Sequence, residues 1–192
     1  MARMMKRLSL FLALAAVGFT AAYLHLRSGV CLTLAITFGT TAYHFIMRLL
    51  VGAAVGSGMK NRADYTSWWY RPRPWEEGFY RPLRVKSWKG RLPTYDPNAF
   101  SPRVHSWDEI AQATCQSEVV HEVIIPLSFL PLFAARWFGA FPVFLITSVC
   151  GAFLDLLFVL MQRYNRPRVV KLAQRQQAKN ELPPCFFMPD VV

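Results

Sequence analysis

The chain has 192 residues, 54% of them hydrophobic, and a formal net charge of +11. That length allows one domain or one helix bundle, and a mean hydropathy of +0.23 is high for a chain surrounded by water. The apolar residues gather in long runs, so the basic balance points to a membrane surface and anionic groups rather than nucleic acid. Cys31, Cys115, Cys150 and Cys185 are scattered with no Cys-x-x-Cys pair, so neither a zinc knuckle nor a disulfide framework is indicated.

Arg3, Lys6 and Arg7 precede an apolar run from Leu8 to Leu26 that is long enough to span a bilayer. Its Ala-x-Ala patterns also suit a signal peptide. The next apolar run follows after only a short turn at Ser28–Gly29, which favours an uncleaved anchor. That second run, Val30 to Val55, carries His44 and Arg48, which share a helix face at a spacing of four. Ionisable groups at such depth must face protein, water or headgroups. Arg48 therefore either snorkels to the interface or faces the same site as His121. Gly52, Gly56 and Gly58 are expected to loosen the helix end, and residues 1–58 read as an N-terminal transmembrane hairpin.

Residues 59–117 are rich in Trp and Tyr interleaved with Arg and Lys, and proline recurs at 72, 74, 82, 93, 97 and 102. The prolines exclude long regular helices, and the aromatic and basic residues favour the water–lipid boundary. The expectation is an interfacial lid with short helices near 65–71 and 106–117. Ser106-Trp-Asp-Glu109 has the spacing of a capping box. Its helix runs on towards a third span, Val119 to Phe138, with Pro126 and Pro131 expected to kink it. Gly139-Ala-Phe-Pro142 connects to a fourth span ending near Met161, with Asp155 well inside. A carboxylate at that depth needs a partner or a raised pKa; Asp155 reads either as structural, bonding Ser128 or Thr147, or as functional.

Residues 118–162 thus read as a C-terminal transmembrane hairpin and 163–192 as a basic cytoplasmic tail, with 181–192 a loose or surface-associated end. Basic residues crowd the N-terminus, 59–117 and 163–179, while Arg27 and Arg136 mark the opposite connections. This asymmetry places both termini in the cytoplasm. The fold class expected is an all-α integral protein of the cell membrane, multi-pass, with four transmembrane helices and a cytoplasmic aromatic and basic lid between helices 2 and 3.

The chemistry centres on Thr114–Ile125. Glu118 and His121 lie three apart, and Glu118 and Glu122 four apart, so they fall on one helix face. An imidazole accepts a proton near neutral pH. The same pair also reads as a helix-surface contact worth a few tenths of a kcal/mol. Cys115 reads as an alternative acyl-accepting nucleophile. His121, Glu118 and Glu122 read as a metal site only if three ligands from one turn converge.

Val85-Lys-Ser-Trp-Lys89, Leu92-Pro93, Glu118-x-x-His121 and Gln162-Arg-Tyr-Asn-Arg-Pro-Arg168 occur in that order. Together they resemble the glycosyl-4,4'-diaponeurosporenoate acyltransferases, small membrane enzymes that add a fatty acyl chain to a glycosylated carotenoid. The likeness covers about residues 60–172, and the Gln162–Arg168 string is its specific part. Tyr43-His-Phe45, the Cys115 region and Thr94-Tyr-Asp-Pro97 mark a divergent branch.

The resemblance implies acyl transfer to a sugar hydroxyl, with His121 and Glu118 as the central polar pair and Arg163, Asn165 and Arg166 as a second cluster. Esterification needs a base for the hydroxyl proton. His121 is expected to be that base, with Glu118 orienting its ring. Arg163, Arg166, Lys86 and Lys89 are expected to hold the phosphates of an acyl-CoA or acyl-carrier-protein donor. Arg168, Trp88, His44 and Arg48 complete the expected substrate-binding set. The acceptor would be a lipid or glycolipid; no cofactor, metal or nucleic acid enters this reading. The rivals are a non-catalytic membrane assembly or scaffold protein and another membrane-embedded transferase, for which the chain offers no Gly-rich cofactor loop.

Overall fold

The computed structural model describes residues 2–92 and 95–181. Pro93 and Thr94, and the 182–192 end with Cys185, lie outside the described residues. Seven α-helices follow one another: α1 (Ala2–Leu26), α2 (Gly29–Met59), α3 (Pro74–Tyr80), α4 (Val85–Trp88), α5 (Trp107–Leu127), α6 (Ala135–Phe138) and α7 (Phe141–Glu181). No strand occurs among the described residues. Four segments are long and apolar enough to cross a membrane: α1, α2, α5 continued through α6, and α7. The chain is therefore an all-α protein with the architecture of a multi-pass membrane protein, as its apolar runs predict.

The helical state follows from the medium. Backbone polar groups in hydrocarbon find no water, and an α-helix satisfies them internally. The side chains are distributed accordingly. Leu10, Leu14, Val17, Phe133, Trp137 and Phe153 point outward, while Thr40, His44, Glu118, Ser148, Asp155 and Arg166 are buried. A surface so apolar is a liability in water and a contact layer in lipid.

The first hairpin turns at Arg27, whose φ is 53°, with Ser28 at the N-cap position of α2 but without a side-chain cap bond. It closes through small residues and a stacked Phe19–Phe38 pair at 5.4 Å, and α1 packs chiefly on α2. The core lies between α5 and α7, with α2 against both; Tyr43 donates its hydroxyl to the Leu127 carbonyl at 2.8 Å. Contrary to expectation, Gly52, Gly56 and Gly58 do not loosen α2, which runs unbroken to Met59. Gly56 faces α5, where a Cβ would make ordinary contact with Gln116 at 3.9 Å. The Gln116 side-chain oxygen in turn accepts from the Asn61 amide at 2.7 Å.

In the connecting segment the expected helix at 65–71 is absent. Asp64 accepts from the Thr66 amide at 2.9 Å and its hydroxyl at 2.6 Å, a local turn that competes with helix. Pro72 and Pro74 then bias the residues before them towards extended backbone. The short helices lie later: α3 starts on Pro74, whose missing N–H is no loss in a first turn, and α4 follows Arg84 in the left-handed region.

The capping box forms as its spacing predicts. The Ser106 hydroxyl accepts from the Glu109 amide at 3.2 Å, and the Glu109 carboxylate accepts from the Ser106 amide at 2.8 Å. From there α5 runs to Leu127. Beyond Pro126 the span tightens into a 3₁₀ turn over Leu130–Ala134 before α6. After a reversal at Gly139 and Ala140, α7 continues for 41 residues, through Pro167, to Glu181. Residues 163–181, expected as a tail, are thus the far part of this helix. At 1.5 Å per residue α7 is roughly 60 Å long, about twice a bilayer's hydrocarbon thickness.

Gly139 combines φ 64° with ψ −134°, a region that side chains with a Cβ avoid. Gly139→Ala should destabilise the α6–α7 turn by about 1–3 kcal/mol. Gly78→Ala, in a helix where an added Cβ meets nothing within 4 Å, should stabilise by about 0.5–1 kcal/mol. Thermal unfolding of the detergent-purified protein compares the two.

Candidate active site

Three spans deliver one ionic group to the interior. His121 on α5 holds its Nδ1 2.8 Å from Asp155 Oδ1 on α7, and its ring stacks on Phe158 with centroids 4.6 Å apart. The other oxygen of Asp155 takes the Nη2 of Arg48 from α2. Arg48 also donates to the Gly151 carbonyl at 3.1 Å and the His44 carbonyl at 2.9 Å. Asp155 is fully buried; the His121 side chain keeps 19% of its surface exposed. Among the described residues nothing bonds His121 Nε2. An aspartate facing Nδ1 holds the proton on that nitrogen and leaves the lone pair on Nε2.

Two expectations are corrected here. Asp155 does not bond Ser128 or Thr147, whose hydroxyls turn back to the Ile124 and Val143 carbonyls of their own helices. Glu118 does not orient the His121 ring. Residues three apart on a helix differ by about 60° around its axis, and here that angle sends the two side chains to different turns of α7.

Glu118 is instead fully buried between Arg163, whose Nε lies 2.7 Å away, and Arg166. Arg163 Nη1 also reaches Glu76 of α3 at 2.8 Å, and its Nη2 donates to the Trp69 carbonyl at 3.2 Å. Arg166 donates to the Tyr70 carbonyl at 3.2 Å, and its guanidinium lies 4.9 Å from the centre of the Tyr70 ring. Tyr80 donates to Glu76 at 2.9 Å; burial, reinforced by that bond, pushes its phenol well above the usual range, so it stays a donor. Trp69 Nε1 donates to Glu122 at 3.1 Å.

The network staples the connecting segment to α5 and α7. Arg163 and Arg166 are neutralised inside the protein and do not present free forks to a phosphate, which corrects their expected role. His121 turns to Asp155, whereas Glu118 and Glu122 both turn to Arg163, so the three side chains do not converge as a metal needs. Cys115 is fully buried on α5, out of reach of a substrate.

The remaining candidates fall into two places. His44 is 5% exposed behind Arg48, and neither ring nitrogen has a hydrogen-bond partner among the described residues. Lys89 donates to Asn165 at 2.5 Å, and Arg168 to the Tyr164 hydroxyl at 3.2 Å. Trp88 donates to the Leu83 carbonyl at 2.9 Å, bracing α4, and Lys86 is exposed. Sequence reasoning missed the role of Glu76: an acid in a polar loop carries no signal of its partner. It had singled out Asp155, but without its partners.

The fold and this site together define a multi-pass helical membrane protein with a His–Asp pair held by an intramembrane arginine. The family model for glycosyl-4,4'-diaponeurosporenoate acyltransferase matches residues 66–175, over half the chain, and the chain belongs to that family. The family suggests an acyltransferase of carotenoid glycolipid biosynthesis. No curated protein and no solved structure matches the chain significantly. Glu76, Glu118, His121, Asp155, Arg163 and Arg166 lie inside the matched stretch; His44 and Arg48 lie outside it.

Glu118→Ala would leave two guanidinium groups facing each other with their shared acid removed. A loss of about 3–5 kcal/mol of stability is expected. Limited proteolysis should then cut the 59–106 segment faster than in the unsubstituted protein.

Proposed function

We propose that the protein transfers a fatty acyl group from a soluble thioester donor to a hydroxyl of a glycosylated lipid or isoprenoid at the membrane surface. The observation that carries this is the His121 ring: Nδ1 on the buried Asp155, Nε2 without a partner, in a chain of acyltransferase family. In the reaction His121 Nε2 takes the proton of the acceptor hydroxyl. The oxygen attacks the thioester carbonyl carbon, the C–O bond forms and the C–S bond breaks. The leaving thiolate recovers the proton from the imidazolium. Asp155 stabilises the imidazolium, and Arg48 reaches across from α2 to hold Asp155 in place.

The connecting segment, stapled through Glu76 and Trp69, would cover the site and exclude water that competes for the thioester. The positive-inside asymmetry would put this face, and both termini, in the cytoplasm, where a soluble donor is available. A non-catalytic scaffold accounts for the Glu118 network equally well. It gives no reason for an accessible imidazole on a buried acid, and that favours the enzyme.

With purified protein, labelled acyl-CoA and a glycolipid acceptor, His121→Ala should lower transfer by roughly 10²–10⁴-fold. Asp155→Asn should fall in the same range, through loss of the Nδ1 tautomer. Glu118→Gln should lower the folded yield while the folded fraction keeps its rate per molecule. Unchanged transfer in His121→Ala removes the proposal.

A further inference from the structure

With Arg163 and Arg166 compensated, a second group of cations stands without an acid. Lys89 Nζ lies 4.8 Å and the Arg168 guanidinium 5.0 Å from the centre of one and the same Tyr164 ring. Lys86 is one helical turn before Lys89. The ion pairs among the described residues include none to Lys86, Lys89 or Arg168. The arrangement has a cost that is visible on Lys89: burial, then the nearby Arg168 and Lys86, hold its ammonium below the usual lysine range. Like charges gathered on one ring are held by cation–π contact and by Asn165. They become favourable when an anion sits among them, and paired lysine and arginine donors suit phosphate oxygens.

The position of the group is informative. His121 stacks on Phe158, and Lys89 bonds Asn165. Seven residues are nearly two full turns, so both contacts fall on one flank of α7, about 10 Å apart along its axis. An extended pantetheine arm reaches across that separation from a phosphate to a thioester.

We propose that Lys89 and Arg168, flanked by Lys86 and seated on Tyr164, bind the phosphate of a phosphopantetheine arm and so aim the donor thioester at His121. This rests on the acyl-transfer reading. Coenzyme A and an acyl-carrier protein present the same phosphate, and the site takes either source through it.

The test is binding of free coenzyme A to the detergent-purified full chain, by calorimetry, without turnover. Lys89→Ala and Arg168→Gln should each weaken binding by about tenfold, from one charge-assisted contact. Lys89→Arg should retain most of it, and Lys179→Ala, at the far end of α7, all of it. Repeating the series with holo acyl-carrier protein separates the two sources: the one whose affinity falls in the two variants is the donor. Equal weakening by Lys179→Ala would mean a diffuse field and would overturn the site. So would loss of coenzyme A binding when phosphatidylglycerol nanodiscs replace phosphatidylcholine ones, since a headgroup would then own the phosphate position. Thermal unfolding of each variant guards against misfolding, with Lys89→Arg as the folded reference. Wild-type transfer with no effect of the variants sinks the site alone; site-dependent binding with no transfer to any acceptor sinks the function alone.

Discussion

A carboxylate in an apolar bundle has to find its counter-charge within the protein, and the described residues place two, Glu118 and Asp155, inside the spanning helices. Burial of an unpaired charge costs several kcal/mol even after relaxation. Glu118 and Asp155 are both fully buried. Each is met by arginine, Glu118 by two from α7 and Asp155 by one from α2. The arrangement of the helices is largely the solution to that pairing problem. It fixes α5 against α7 at two levels and brings α2 against both.

The two solutions differ in what is left over. Around Glu118 two guanidinium groups face the carboxylate; Arg163 also donates to Glu76 and the Trp69 carbonyl, and Arg166 to the Tyr70 carbonyl. Such a group does not take a proton from a substrate readily; it holds pieces together. Around Asp155 one arginine and one imidazole face the carboxylate, and the imidazole keeps a nitrogen uncommitted. In the proposed acyl transfer, the chemistry falls to that remainder. A helix that places Glu118 and His121 three residues apart separates these roles by pointing them at different turns of the same partner.

Much of this was legible in the sequence, and the reasons are specific. The four spans follow from apolar length, and the start of α5 from Ser106 and Glu109, because both signals are local. His121, Asp155 and the Gln162–Arg168 string stand out in the sequence as polarity where polarity is costly. Partner choice was not legible. Whether Glu118 turns to His121 or to Arg163 depends on the rotation of α5 against α7, which the whole interface sets. The helical state of 163–181 was obscured by Pro167 and by charge, which read as an exit from the membrane; charged residues are as compatible with helix beyond the bilayer as with coil.

The reach of Arg48 shows how far the first hairpin is part of the site. Its guanidinium crosses from α2 to Asp155 over Gly151, and a Cβ at that glycine would lie 3.4 Å from Arg48 Nη2 and 3.2 Å from His44 Nδ1. The approach to His44 is tighter than ordinary contact, and the His44 ring is buried. A missing side chain on α7 thus opens the path for a charge on α2. The arginine comes from a helix outside the family-matched stretch, while the carboxylate it braces and the imidazole beyond it lie within that stretch. A segment that composition alone reads as a membrane anchor therefore contributes the charge that braces the Asp155–His121 pair of the other hairpin. An anchor that could be exchanged for any apolar helix would leave Asp155 buried with no cation beside it, at a cost of several kcal/mol.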